Sequence, residues 1–286
     1  MNENTKVLAL VVTYNRLPLL KKCIEALKLQ SYKNYDILVV NNGSTDGTRE
    51  YLDSLQDVIS IHQDNLGGAG GFGRGMEFVQ QNKEYGAIWM MDDDGIPEEN
   101  QLKNILYYSK KNNVDYANAL VLNIDDHSRL SQGNVPYIFE DYKNVEFIPS
   151  NMVPFNGTLV YRHVIDKIGI VKKEMFIWGD EREYTARVKY AGYRYGTITK
   201  AIHYHPVLRG EKGNAIPFIN KWKLILKPLG KDKYYYRNIG YICREYKQYG
   251  LLLKYTCYYL TRLKLLSYIR FMKYFLLGYN NNFKII

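Results

Sequence analysis

In the first two thirds of the chain, apolar residues come in short, β-branched runs that alternate with stretches of helical period. Val7–Thr13 (VLALVVT) predicts a buried first strand, followed by the polar corner Tyr14-Asn15-Arg16. Leu19, Leu20, Cys23, Ile24 and Leu27 then recur at helical spacing, and Pro18 suits a first helical turn. Residues 36–40 (DILVV) predict a second strand that ends in Asn41-Asn42-Gly43-Ser44-Thr45-Asp46-Gly47-Thr48, with a helix over 48–55. Residues 58–62 predict a third strand. The glycine-rich segment 65–75 after it reads as a loop, with a helix from about Met76. Residues 87–91 (AIWMM) predict a fourth strand that delivers Asp92-Asp93-Asp94, and Gly95 and Pro97 then break the chain. From 114 to 150 the pattern fades to scattered apolar residues. Beyond it, 155–161 predicts a strand, Tyr184, Val188 and Ala191 a helix ending near Gly192, and 195–203 a last strand closing on His203-Tyr204-His205-Pro206.

Strands alternating with helices predict an α/β fold, a mostly parallel sheet flanked by helices on both faces. In such sheets ligands bind outside the carboxyl ends of the strands. The polar corner, the Asn-Gly-Ser-Thr-Asp turn, the glycine loop and the acid triplet all follow strand ends, so they are expected to converge on one crevice. Three adjacent carboxylates repel one another unless a cation or hydrogen-bond donors compensate them. Mg2+ and Mn2+ favour carboxylate oxygens and can bridge them to a substrate diphosphate. Glycines let backbone N–H groups approach a nucleotide closely.

Charge divides the chain. Residues 221–286 hold 14 Lys/Arg against 2 Asp/Glu, a formal +12, which leaves the first 220 residues at −2. The same stretch holds 12 of the 28 tyrosines, together with repeated leucines. A basic, aromatic and leucine-rich end on a near-neutral body suits an anionic surface, of membrane lipid or nucleic acid. The alternative is an amphipathic helical appendage that packs on the first 220 residues or on a second subunit. The start of the chain does not read as a secretory signal, and no uninterrupted apolar stretch of about 18 residues offers a membrane span. Cys23, Cys243 and Cys257 match no metal or redox spacing, which suits a reducing compartment.

The blocks VVTYNR (11–16), VVNNGSTDGT (39–48), NLGGAGGFGR (65–74), MMDDD (90–94), FIWGDEREYTAR (176–187) and HYHP (203–206), with YYYRN at 234–238, resemble the inverting nucleotide-sugar glycosyltransferases of family 2 with the GT-A fold. Within that family they most resemble the galactofuranosyl- and rhamnosyltransferase-like group that builds bacterial cell-surface polysaccharides. The resemblance covers roughly residues 5 to 240. It implies a catalytic domain over 1–220, with a nucleotide-sugar-binding half to about residue 95 and an acceptor-binding half over 96–220. Residues 221–286 are then a helical, membrane-associating or oligomerising region.

The resemblance also implies roles. Asp92 and Asp94 match acids that contact a Mn2+ or Mg2+ ion and the donor's ribose–diphosphate, with Asp93 between them. Thr13, Asn15, Asn41 and the loop with Asn65, Gly67, Gly68 and Gly71 match nucleotide-binding corners, and Arg74 could meet the diphosphate. Position 41 is Asn where the family usually has Asp; an amide still hydrogen-bonds a base edge but removes a charge. Transfer needs a general base for the acceptor hydroxyl. Glu181 is expected in that role, with Asp180 as an orienting neighbour, Glu183 holding acceptor hydroxyls and Trp178 stacking on a sugar face. Only one of His203 and His205 is expected to face the crevice and complete the metal shell, and His205 matches better. The implied reaction moves galactofuranose from UDP-galactofuranose, or rhamnose from dTDP-rhamnose, to a glycan or a polyprenyl-diphosphate-linked glycan. The implied place is the inner face of the cell membrane, with no nucleic-acid partner. A non-catalytic binding protein is the competing class, in which Asp94 and Glu181 would be dispensable.

Overall fold

A computed structural model of the chain describes residues 5–131, 142, 144–151, 155–207, 211–219 and 221–284. The chain groups into two units, Met1–Lys173 with Tyr184–Leu208, and Glu174–Glu183 with Arg209–Ile286.

The first unit begins with β1 (Val7–Thr13), α1 (Leu17–Lys28), β2 (Tyr35–Asn41), α2 (Thr48–Asp53), β3 (Ile59–His62), α3 (Gly67–Gln81) and β4 (Ala87–Asp92). It continues through β5 (Ile96–Pro97), α4 (Gln101–Lys111), β6 (Tyr116–Asn123), β7 (Asp126–Leu130), β8 (Phe147–Pro149), β9 (Thr158–Tyr161) and α5 (Arg162–Ile168). Helix α6 (Asp180–Tyr190) and β10 (Tyr195–His205) follow. The strands order as β3-β2-β1-β4-β9-β6-β10-β5 in one sheet, with β7 on β6 and β8 on β10. Strands β3, β2, β1 and β4 are parallel neighbours. Strand β9 is inserted antiparallel between β4 and β6, and β10 runs parallel to β6. The six main strands therefore point one way, and the carboxyl ends of β1, β2, β4 and β10 lie along one edge.

Every residue of β1 is buried because both of its faces are covered. Val7, Ala9 and Val11 join a core with Leu20, Ile24 and Leu27 of α1 and Leu102 and Ile105 of α4. On the opposite face, α3 lies so close that a Cβ at Gly71 would overlap Val12 and one at Gly75 would overlap Leu10. The glycine-rich segment is therefore not a loop: the helix starts at Gly67, not near Met76. Its glycines, spaced four apart, form the smooth side that lets the helix settle onto β1.

The stretch where the sequence pattern fades contains β6, which is buried throughout. Two asparagines, Asn118 and Asn123, interrupt its apolar run, and Asn118 Nδ2 donates to Thr158 Oγ1 of β9 at 2.7 Å. Residues 132–141 of the same stretch lie outside the described residues.

The second unit contains the hairpin β11 (Glu211–Asn214) and β12 (Lys223–Leu226), and helices α7 (Asp232–Tyr246), α8 (Gly250–Leu260) and α9 (Leu265–Tyr279). Its core is built on Tyr236, Tyr255, Tyr258, Tyr259, Phe271 and Phe275. Helices α7 and α9 touch backbone to backbone, since a Cβ at Gly240 or Gly278 would overlap the facing main chain. Most of the tyrosines expected at an outer surface thus fill a core. Among the described residues no helix is long and apolar enough to cross a membrane.

Candidate functional site

The strand corners of the first unit are tied to one another by side chains. Register places Thr13 opposite Asn41 and Val12 opposite Asp92. Asn15, in the left-handed region at φ 53°, accepts from Thr45 N–H through Oδ1 at 2.7 Å, and its own N–H donates to Ser44 Oγ at 2.9 Å. Asn41 Oδ1 accepts from Ser44 N–H at 3.0 Å, and its Nδ2 lies 3.2 Å from His62 Nδ1. Asp46 accepts from Leu17 N–H at 2.9 Å, which satisfies an amide at the start of α1. Asn65 Oδ1 accepts from Gly67 N–H at 3.0 Å, in a local turn that starts α3. The expected convergence of these corners is what the hydrogen bonds display.

Two residues absent from the expected set hold this edge together. Asn42 donates from Nδ2 to Gly67 O at 2.8 Å, and its Oδ1 accepts from Leu66 N–H at 3.1 Å and Gln63 Nε2 at 2.9 Å. It latches the β2 corner to the first turn of α3. Arg16 donates from Nη1 to Asp94 Oδ2 at 2.8 Å and to Asp93 Oδ1 at 3.2 Å. The signal for Arg16 was its place beside Asn15 in the same polar corner.

The three aspartates differ in environment. Asp93 turns inward, with its Oδ2 accepting from Thr13 Oγ1 at 2.7 Å. Burial pushes its pKa up to about 6, with the Asp94 charge adding to the rise and Thr13 and Arg16 opposing it. Asp92 and Asp94 form a group with His205 in which one ligand atom from each lies within 4.8 Å of the others. Burial acts to raise the pKa of Asp94, but His205 and Arg16 outweigh it and hold the carboxyl below its usual range. His205 Nε2 stands 3.0 Å from Asp94 Oδ1, while its Nδ1 lies 2.7 Å from Pro206 O. Apart from His205 Nε2, the buried Asp94 Oδ1 meets no hydrogen-bond partner among the described residues.

Two carboxylates and an imidazole form an O,O,N donor set, and the buried Asp94 Oδ1, which faces His205 Nε2 and accepts no N–H or O–H in good geometry, is the kind of atom a cation satisfies. The residues fit a divalent ion.

The two histidines are separated by depth, not by face. Residues two apart on a strand share a face, so alternation does not distinguish them. His203 is fully buried, its Nδ1 3.0 Å from Gln101 Oε1, and packs against Gly95, where a Cβ would overlap its Nε2. Burial pulls its pKa down to about 3, so it stays neutral.

Arg74 lies two turns into α3 and pairs with Glu77 at 3.1 Å. A Cβ at Gly68 would meet nothing within 4 Å. Gly68 therefore presents backbone to open space at the start of α3, where helix amides lack intrahelical partners.

The second unit presents the acidic segment. Phe176 at φ 64°, Trp178 at φ 61° and Gly179 at φ 95° all lie in the left-handed region, which costs bulky residues about 1–3 kcal/mol each. Helix α7 holds this shape: Asn238 Nδ2 donates to Trp178 O at 2.7 Å and Met175 O at 2.9 Å, and reaches Ile177 O at 3.2 Å. Arg237 Nη2 adds bonds to Glu174 O at 2.9 Å and Met175 O at 3.1 Å. These two residues are the last letters of the YYYRN block. Glu181 Oε2 accepts from Gly179 N–H at 3.1 Å, Asp180 is buried, and buried Glu183 Oε1 accepts from Tyr246 OH at 2.7 Å. Lys227 Nζ sits 4.3 Å from the Trp178 ring centroid, a cation–π contact. Burial lowers its pKa, against the opposing charge of Glu181.

Residues 9–169 match the model of the family described as glycosyl transferase family 2. The chain is 30% identical over 261 residues to the galactofuranosyltransferase GlfT1 of Mycobacterium tuberculosis, spanning 84% of this chain and 82% of that protein. It is 30% identical over 222 residues to GlfT1 of Mycolicibacterium smegmatis, at 72% of each. Among solved structures it is similar to the mannosyltransferase PcManGT from Pyrobaculum calidifontis in complex with GDP-Man and Mn2+. There the TM-score is 0.54 at 17% identity, over 71% of this chain and 57% of that one. S. aureus TarS gives 0.54 at 14% identity, over 71% of this chain and 37% of that one. At such identities the likeness is one of fold.

Proposed function

The chain belongs to glycosyl transferase family 2 and is a glycosyltransferase that moves a sugar from a nucleotide donor to a glycan, and from that premise we propose that its donor is UDP-galactofuranose. Transfer inverts the anomeric centre and depends on a divalent cation. The acceptor is a hydroxyl of a growing, lipid-linked bacterial cell-surface polysaccharide, met at the cytoplasmic face of the membrane. Identity to two galactofuranosyltransferases over most of their length supports the sugar. The single observation that carries the reaction type is the Asp92–Asp94–His205 group at the ends of β4 and β10, beside the tied corners of β1 and β2.

Thr13, Asn15, Asn41, Asn65 and the first turn of α3, with Gly67 and Gly68, form the nucleotide side, while Gly71, expected there too, faces Val12 of β1 instead. The amides at the start of α3 face an anion favourably, through their free N–H groups and the helix dipole. Asp92, Asp94 and His205 hold the cation, which supplies Lewis-acid stabilisation of the charge that grows on the leaving diphosphate. Arg16 and Thr13 keep Asp93 and Asp94 in place. Glu181 takes the proton of the attacking acceptor hydroxyl, and its bond to Gly179 N–H fixes the carboxylate at the start of α6. Asp180 orients the acceptor and the Trp178 face stacks on a sugar ring, whereas Glu183, expected to hold acceptor hydroxyls, is buried against Tyr246 and buttresses the segment instead.

The test is a transfer assay with UDP-galactofuranose and with dTDP-rhamnose, each on a galactofuranosyl acceptor with Mn2+, read by mass spectrometry and by the anomeric NMR signal. Product from UDP-galactofuranose alone, with inverted configuration, is expected. Product from dTDP-rhamnose alone would remove the donor assignment.

A further inference from the structure

Helix α9 is apolar on both of its sides, and only one is covered. Phe271, Tyr274, Phe275 and Gly278 enter the core of the second unit. At about 100° per residue, Leu265, Ile269 and Leu276 share the opposite side, with Leu266 at its margin. These stand 61%, 57%, 48% and 84% exposed, and Leu263 in the preceding turn is 92% exposed. An exposed apolar cluster of this kind, with Lys273 set among the leucines, marks an interaction site.

Charge decides what covers it. Lys264 and Lys273 are exposed beside these residues, while residues 221–286 contain only Asp232 and Glu245 as acids. Asp232 is already engaged by Arg270, at 2.8 and 3.2 Å. A second copy packed across a two-fold axis would set these cations against themselves. An anionic lipid surface complements both the leucines and the cations. Beside these residues, a cleft of about 350 Å³ is lined by Lys227, Lys264 and Ser267 and by the Arg270–Asp232 pair, with Leu229, itself 84% exposed, at its side.

We propose that the outer side of α9 and the turn before it form a membrane-docking surface for anionic phospholipid, with the leucines entering the headgroup layer and Lys264 and Lys273 meeting phosphates. This inference rests on the reading of the acceptor as lipid-linked, and it gives that reading a place on the molecule.

The experiment is co-sedimentation of the full chain with phosphatidylcholine vesicles, with and without phosphatidylglycerol, for the wild type, Leu266→Glu/Ile269→Glu and Lys264→Ala/Lys273→Ala. Circular dichroism checks folding, and transfer to a water-soluble acceptor is measured in parallel. The wild type is expected to sediment with the anionic vesicles and to be released by salt. The lysine pair is expected to weaken binding about thirtyfold, from the usual contribution of a basic residue near such a surface. The Leu/Ile pair is expected to abolish it while soluble transfer persists. Equal binding to neutral vesicles, or none to either, would overturn the proposal. So would a wild-type dimer that the Leu/Ile pair separates, since a second copy would then cover the cluster. If vesicle binding fails while transfer persists, only this inference falls; if transfer is absent while vesicle binding holds, the enzymatic reading falls instead.

Discussion

Arg16 Nη1 stands 2.8 Å from Asp94 Oδ2 and 3.2 Å from Asp93 Oδ1, so one guanidinium at the end of β1 bridges two carboxylates at the end of β4. Asp93 is buried and Arg16 half-exposed. Removal of the cation strands the inner carboxylate more than it exposes the outer one. Arg16→Ala should lower stability by about 1–2 kcal/mol, in the range for hydrogen bonds to charged groups after discount for exposure. Arg16→Lys should recover part of that loss. Urea denaturation measures both, and an unchanged midpoint for Arg16→Ala would contradict the bridging role.

The two histidines should separate cleanly. His205→Ala removes a ligand and is expected to weaken Mn2+ binding by at least the roughly 10–100-fold that disturbing even a second-shell partner costs. His203→Ala leaves Gln101 and a cavity behind, so it should lower the melting temperature and leave the Mn2+ midpoint close to the wild-type value. Titration of Mn2+ by calorimetry, paired with thermal melts, distinguishes the two. Reversed effects would place the ligand at His203.

Glu181→Gln keeps the shape of the side chain and removes its basicity. The turnover number should fall by about 10²–10⁴, the usual contribution of a general base, while UDP affinity stays unchanged. Loss of UDP binding in this variant would show that Glu181 serves the donor.

Asn238→Ala withdraws the amide that serves the carbonyls of Met175, Ile177 and Trp178. A stability loss of about 1–3 kcal/mol is expected from the unsatisfied carbonyls. The strained segment should also relax, so turnover should fall with UDP affinity unchanged. A stability loss without any change in turnover would make Asn238 a packing residue only.

The glycines of α3 divide by what lies beyond them. Gly71→Ala would press a methyl into Val12 and should cost about 1–3 kcal/mol by overpacking. Gly68→Ala meets open space and should leave stability unchanged or slightly higher, because alanine favours helix. Equal losses at the two positions would contradict the close approach of α3 to β1.

What the sequence made readable follows from local physics. Strands β1, β2 and β4 are continuous apolar runs ending in polar corners, and their bounds come within a residue or so of expectation. The acid triplet and the histidine pair fell at strand ends, where parallel sheets place ligands. Helix α3 was misread because glycine disfavours helix locally, and only its tertiary contact with Val12 and Leu10 explains the choice. Strand β6 was missed because Asn118 looks like a breaker until its partner Thr158, forty residues on, is in place. Arg16 and Asn42 were passed over for a related reason: their partners are distant in sequence, and nothing local marks a side chain that bridges two loops. The tail was recognised as basic and aromatic, but periodicity alone could not tell which aromatics face inward. Tyr236, Tyr255, Tyr258 and Tyr259 went to the core, and Leu263, Leu265 and Leu266 to the surface.

The most direct test of the central claim is calorimetric titration of UDP, TDP and GDP into the purified chain, with Mn2+ and then with EDTA. The account predicts that UDP binds most tightly, that EDTA abolishes the heat, and that Asp94→Ala does the same in the presence of Mn2+. A folded protein that binds none of the three nucleotides with Mn2+ present, or that binds UDP equally well in EDTA, would contradict it.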